Sequence, residues 1–320
     1  MRRALRTLLP VLPIAAALIA SLASPKKAGA DAASDAKERA EKCATRLFAS
    51  MIGEGASTEA LASATPQTYF DSLVKDDRFR ERFARFINSQ FNPNPGMTPS
   101  EDASYYLSRY VLQNDKPWTD MFVGQYDIVA NGANDASVTA NANGLGYFRS
   151  RAWMVRYAGN ESAGIRIVSA YRMMQNTIGL KLAATTNLAD IADISAQGRQ
   201  AAQCSGCHYN PWFALDKVAS VLGTRTGTGT QTQFQASTKG PQQILGGITI
   251  SNDKELVEAL VGNEAFNVNA CRLAYRYLYG RTEYTCESPV FDACATAFKA
   301  DKKITSALAV IAKDPTFCEQ

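Results

Sequence analysis

The chain has 320 residues, is 46% hydrophobic and 20% charged, and carries a formal net charge of +4. That composition is globular and excludes a largely disordered or low-complexity protein. The positive charge belongs to residues 1–30, which hold five cations and no acid; without them the charge is −1, and no basic stripe remains to bind nucleic acid.

Residues 1–30 are a predicted signal peptide. Arg2, Arg3 and Arg6 precede an apolar run from Leu8 to Ala23, and Ala28-Gly29-Ala30 supplies a small-residue cleavage site. The run is broken by Pro10 and Pro13 and is too short to span a bilayer. The mature protein is therefore expected to be periplasmic or secreted from a bacterium, with no membrane span, in a compartment where thiols tend to oxidise.

From residue 31 to about 125 the pattern predicts helices. Asp35 to Met51 has apolar residues at helical spacing. Thr65-Pro66 opens a stretch to Phe91 with Leu73, Phe79, Phe83, Phe86 and Ile87 on one face and charges on the other. After the Asn92–Gly96 loop, Thr98-Pro99-Ser100-Glu101 reads as a capping box. Residues 130–147, rich in Asn, Ala and Gly, are expected to be an irregular surface excursion. Helices are then expected from Ser162 to Met174 and from about Ile194 to Cys204.

The second of these leads into Cys204-Ser205-Gly206-Cys207-His208, which contains the one histidine of the chain and two of its seven cysteines. C-x-x-C-H is the pattern of covalent haem attachment. Each thiol adds to one vinyl group, and the following imidazole lies under the ring to ligate iron. The small Ser205-Gly206 pair lets the backbone run close to the porphyrin edge. A zinc site needs about four ligands, and there is no second histidine or second C-x-x-C. A thioredoxin-like pair wants a βαβ context, whereas these flanks read as helix. A plain disulfide leaves His208 without a role. The expected cofactor is one covalent haem c on Cys204 and Cys207, with His208 as the iron ligand.

Asn210-Pro211 predicts the next helix start and Gly223 its end, so the motif lies at a helix–helix junction. Residues 223–247 are expected to be a Gly/Thr/Gln-rich flap beside the haem; Gly227 and Gly229 lack the Lys-Ser/Thr of a phosphate loop. Helices follow from Ser251 to Gly262, from Glu264 to Gly280, and near 290–300 and 303–313. The fold class is mainly α, with residues 31–185 as an N-terminal helical region and 186–320 as a haem-binding and C-terminal helical region.

Cys271, Cys286, Cys294 and Cys318 crowd the C-terminus and are expected to form two disulfides. Of three connectivities, Cys271–Cys286 with Cys294–Cys318 is preferred because both close short loops. Cys43, on an apolar stripe with Ala40, Leu47 and Met51, is expected to be a buried free thiol.

The sixth iron ligand is sought by elimination. No methionine follows Met174 and no second histidine exists. Met174 or Met173 comes first, then Met154, Met121 and Met97; core packing, an open or water-bound iron, and a lysine or tyrosine ligand stay open. The function expected is electron transfer to a redox partner protein, without catalytic residues. The alternatives are a haem-based sensor or oxidoreductase with an open iron, and a structural or partner-binding protein that retains a haem.

Several segments resemble a family of planctomycete-type secreted proteins in which uncharacterised helical domains flank a cytochrome-c-like C-x-x-C-H site. They are Tyr69–Leu73 with Arg78-Phe79, Asn114–Phe122, Gly144–Phe148 with Arg166, Cys204–Leu215, Leu256–Leu260, Phe266, and Tyr279-Gly280-Arg281. The resemblance covers most of residues 65–317 and implies haem binding and electron transfer. This chain is shorter than the family's large members.

Overall fold

The computed structural model describes residues 28–96, 101–158, 166–182, 193, 195–210, 212 and 214–319. The signal sequence through residue 27, the box at Thr98-Pro99-Ser100, Ser162 and Pro211 lie outside them. The protein is mainly helical.

Helix α1 (Ala28–Ile52) buries Ala44, Leu47, Phe48 and Met51, the i, i+3, i+4, i+7 face that the sequence presents. Helix α2 (Thr58–Ala62) is capped by Ser57. The stretch from Thr65 to Phe91 is not one helix. Thr65 makes no side-chain cap; a 3₁₀ turn (Pro66–Tyr69) runs into the short α3 (Phe70–Leu73), and the chain restarts at α4 (Asp77–Phe91). The restart is set by Asp76, whose side chain accepts from the Arg78 amide. Phe79, Phe83, Ile87 and Phe91 then form the buried stripe of α4.

Helix α5 (Ala103–Gln113) packs along α4, and the short α6 (Asp120–Val123) places Met121 and Phe122 in the core. Residues 126–140 are an antiparallel hairpin, β1 (Tyr126–Ala130) with β2 (Ala136–Ala140), in which Ile128 pairs with Val138. The irregular excursion expected over residues 130–147 overlooked β2, whose Ala136 clusters with Ile128 of β1, Ala103 of α5 and Ala152. Ala152 belongs to α7 (Arg151–Tyr157), and α8 (Ile167–Ile178) follows.

The approach to the motif is broken in two: α9 (Ala196–Arg199), then α10 (Ala202–His208). After it come α11 (Leu215–Val221) and two further hairpins, β3 (Thr224–Thr226) with β4 (Gln233–Gln235) and β5 (Gln242–Ile244) with β6 (Ile248–Ile250). The expected flap therefore carries strands. Helix α12 (Asp253–Gly262) is capped by Asn252 rather than Ser251. Helix α13 (Glu264–Tyr279) ends on Gly280 at φ 70, a left-handed position suited to glycine. Helices α14 (Ser288–Asp301) and α15 (Ile304–Lys313) pack on α13.

One buried cluster runs from Ala44 to Phe317. Its centre is aromatic: Phe83 meets Trp118 and Tyr277 edge-on, and Phe122 meets Tyr147 and Phe266 edge-on.

The disulfides differ from expectation. Cys271 is joined to Cys294 and Cys43 to Cys318, while Cys286 is unpaired and exposed. Loop length misled because helix packing decides proximity. Helices α13 and α14 lie side by side, with the Cys271 and Cys294 Cα atoms 6.0 Å apart. The terminal 3₁₀ turn (Pro315–Cys318) packs on α1 and brings the Cys318 and Cys43 Cα atoms to 4.7 Å. Cys43 is buried as expected, but as half of a disulfide.

Among the described residues, no helix is long and apolar enough to cross a membrane.

Candidate functional site

Helix α10 is the motif: it begins two residues before Cys204 and ends on His208. Its amides close onto Ala201, whose carbonyl accepts from Cys204 N at 2.9 Å and Ser205 N at 2.8 Å. Cys204 and Cys207 are i, i+3 neighbours, and Cys204 and His208 are i, i+4 neighbours, so both thiols and the imidazole fall on one side of the helix. Neither thiol is oxidised; Cys204 is half-buried and Cys207 exposed. None of α10 is buried. A Cβ added at Gly206 would meet nothing within 4 Å, so the helix side away from the thiols and the imidazole is open.

The turn before α10 is fixed by close packing. Ser195 caps α9 by accepting from the Gly198 amide, and a Cβ at Gly198 would fall 1.9 Å from the Asp193 carbonyl oxygen, so only glycine fits there. This places Arg199, a buried cation, beneath the motif.

The turn after α10 brings in the partner. Ala214 takes φ 36, a left-handed value that costs a residue with a Cβ about 1–2 kcal/mol. Helix α11 starts from it, later than Asn210-Pro211 predicts. Leu215, Val218, Ala219 and Val221 bury α11 against the core, and the Arg166 guanidinium at the head of α8 donates to the Ala219 carbonyl. From this anchored helix Asp216 reaches back to the motif.

Asp216 Oδ2 lies 2.7 Å from His208 Nδ1, and Asp216 Oδ1 accepts from Arg199 Nη2 at 2.7 Å and Nε at 3.1 Å. Burial pushes the Asp216 carboxyl up, but the hydrogen bonds and charges of Arg199 and His208 outweigh it and hold the group below its ordinary value. The hydrogen bond to Asp216 in turn raises the Arg199 guanidinium. An ionised carboxylate only accepts, so the shared proton sits on His208 Nδ1. That tautomer leaves the Nε2 lone pair available to a metal.

No protein-family model, curated protein or solved structure matches this chain. The site therefore rests on its own chemistry.

That chemistry fits a covalent haem: two free thiols one turn apart and an imidazole with Nε2 presented and Nδ1 held, all on one side of an exposed helix. Asp216 supplies the acceptor for the second ring nitrogen of His208. Sequence reasoning missed both Asp216 and Arg199. The signal available was an acid in the first turn of the helix following the motif and an arginine ending the helix before it.

The methionines proposed opposite His208 are packed residues of α8: Met173 is 3% exposed and Met174 fully buried. Helix α8 packs on α11, α12 and α13, and α10 on α9 and α11. Met121 and Met154 are also buried, and Met97 lies outside the described residues. Among the described residues, no three or more His, Cys, Asp and Glu side chains gather closely enough to hold a bare metal ion.

Proposed function

We propose that this is an exported monohaem c-type cytochrome that transfers electrons to a partner protein. Cys204 and Cys207 carry the haem through thioethers, and His208 Nε2 ligates its iron. The observation that carries the proposal is the 2.7 Å contact between Asp216 Oδ2 and His208 Nδ1 within the C-x-x-C-H helix. Metal-ligating histidines commonly donate their second ring N–H to a carboxylate, and that partner fixes the ring's tautomer and orientation. The haem supplies reversible one-electron chemistry when bound; the chain's own residues hold and orient it. The motif lies on an exposed helix, so a haem attached there keeps an edge close to the surface for exchange with a partner. The resemblance of Cys204–Leu215 and the flanking helices to secreted cytochrome-c-like proteins points the same way.

The test is expression with export and cytochrome c maturation. The protein is expected to retain haem colour on a denaturing gel. Cys204→Ala and Cys207→Ala are expected to reduce covalent attachment, and His208→Ala to disturb iron ligation. A well-folded, colourless product under these conditions rejects the proposal.

A second reading, a sensor or oxidoreductase with an open iron, is favoured by one observation: the methionines in question are already core residues, with Met174 fully buried.

A further inference from the structure

We infer that Asp216, steered by Arg199, sets the redox poise of the haem and makes it a low-potential centre; this rests on the haem proposal above. The argument begins with placement. Asp216 projects from a helix fixed in the core, whereas the motif helix has no buried residue, so Asp216 is the fixed side of the pair and His208 the side being held. The two side chains of the ion pair are nearly enclosed, with Arg199 10% and Asp216 11% exposed. Charges this sheltered are screened far less than surface charges.

A carboxylate accepting from Nδ1–H draws that proton toward itself and raises electron density on the ring. The donating atom, Nε2, becomes a stronger ligand. Ferric haem carries one positive charge more than ferrous haem, so an electron-rich ligand and a nearby negative charge both favour the ferric state. Reduction adds one electron and moves no proton in this scheme. The partners implied are therefore low-potential one-electron carriers.

Arg199 has two effects of opposite consequence. Its Nη2 and Nε donate to Oδ1, and Nε also to Oδ2, the oxygen that meets His208, so the guanidinium holds the carboxylate in register. Its charge also offsets part of the carboxylate's. Removing the cation while keeping the acid should therefore make the haem still harder to reduce, whereas neutralising the acid should make it easier. Asp216 and Arg199 are positioning residues, acting through His208, and a purely structural role would not produce shifts of opposite sign.

The test is potentiometric titration of the full-length exported holoprotein and of Asp216→Asn and Arg199→Gln, with absorption spectra to establish that His208 still ligates. Asp216→Asn is expected to raise the midpoint potential by about 59 mV or more, a tenfold change in a one-electron equilibrium. Arg199→Gln is expected to lower it, and Asp216→Glu to stay near the parent value. Haem-loaded variants with intact ligation whose potentials do not move, or move in the same direction, overturn the inference and leave the haem proposal standing. A parent protein without covalent haem overturns the proposal itself. If Asp216→Asn does not accumulate, Arg199→Gln decides alone: an unchanged or raised potential overturns the inference.

Discussion

Cys318 is bonded to Cys43, 275 residues earlier, so the last turn of the chain is fastened to its first described helix. Cys271 and Cys294 close a much shorter loop, 23 residues apart. Loop-closure entropy assigns about 3 kcal/mol to the short loop and roughly 5 kcal/mol to the long one. Cys43→Ser is therefore expected to destabilise at least as much as Cys271→Ser in urea denaturation. Non-reducing peptide mapping should recover Cys43 with Cys318 and Cys271 with Cys294. In the haem-loaded protein a thiol reagent should label Cys286 without denaturant; recovery of Cys286 in a disulfide would contradict the packing of α13 on α14.

Acid should loosen α4 through its cap. The hydrogen bonds from the Arg78 side chain and amide lower the Asp76 carboxyl from 3.8 to about 2. A lowered folded-state value means that the cap's contribution is complete above the ordinary carboxylate range. It is lost as pH falls from about 4 through 2. Asp76→Asn should flatten the stability profile in that window, and Asp76→Ala should cost about 1 kcal/mol at neutral pH. Thermal melts from pH 7 to pH 2 measure both; identical acid limbs for parent and Asp76→Asn would refute the assignment.

The helices with strong periodicity and clear caps were legible in the sequence. The Glu264 start and Gly280 stop of α13 stand where the pattern puts them, and so does the Gly262 end of α12. The hairpins were not. β1 and β2 are five residues each, with Tyr126, Ile128, Ala136 and Val138 turned to the core, too few for alternation to show beside an Asn- and Gly-rich stretch. The motif was fully legible, because C-x-x-C-H is contiguous. Its charge partners were not: Arg199 and Asp216 are separated by 17 positions and meet only because Gly198 and Ala214 turn the chain on either side of α10. The disulfides failed for a related reason: pairing follows helix contacts, and sequence separation carries little of that information.

The Arg199–Asp216 pair should also govern the stability of the haem-free protein. Removing one member of an enclosed pair leaves an uncompensated charge, typically at a cost of about 3–5 kcal/mol. Asp216→Ala is expected to fall below that range, at about 1–3 kcal/mol, because Arg199 stays behind, 10% exposed, but keeps its interaction with Tyr209. Arg199→Met combined with Asp216→Leu should recover most of the loss, since apolar replacements of similar volume remove the charge and fill the space. Urea midpoints of the single and double variants measure the coupling; a double variant no better than Asp216→Ala would show that Arg199 is solvated in solution.

The position opposite His208 decides between carrier and open-iron protein, and Met174 allows the two to be separated. An upstream methionine is the first candidate for the ligand of a carrier, ahead of a lysine or tyrosine: no methionine follows Met174 and His208 is the one histidine. Met174 is also fully buried on α8, the helix against which α11 packs, so it has a packing role whether or not it reaches the iron. Met174→Leu keeps that role, since an apolar swap of similar volume usually costs under about 1.5 kcal/mol. It removes the sulfur, the one atom able to ligate. If Met174 completes the coordination, Met174→Leu should fold almost as well as the parent, lose the weak far-red ferric band of methionine ligation, and bind carbon monoxide when reduced, which the parent should not do. Met173→Leu provides the matching control on the adjacent residue. A parent that is high-spin and binds carbon monoxide rapidly, with neither substitution changing its spectrum, would assign both methionines to the core and the protein to the open-iron class.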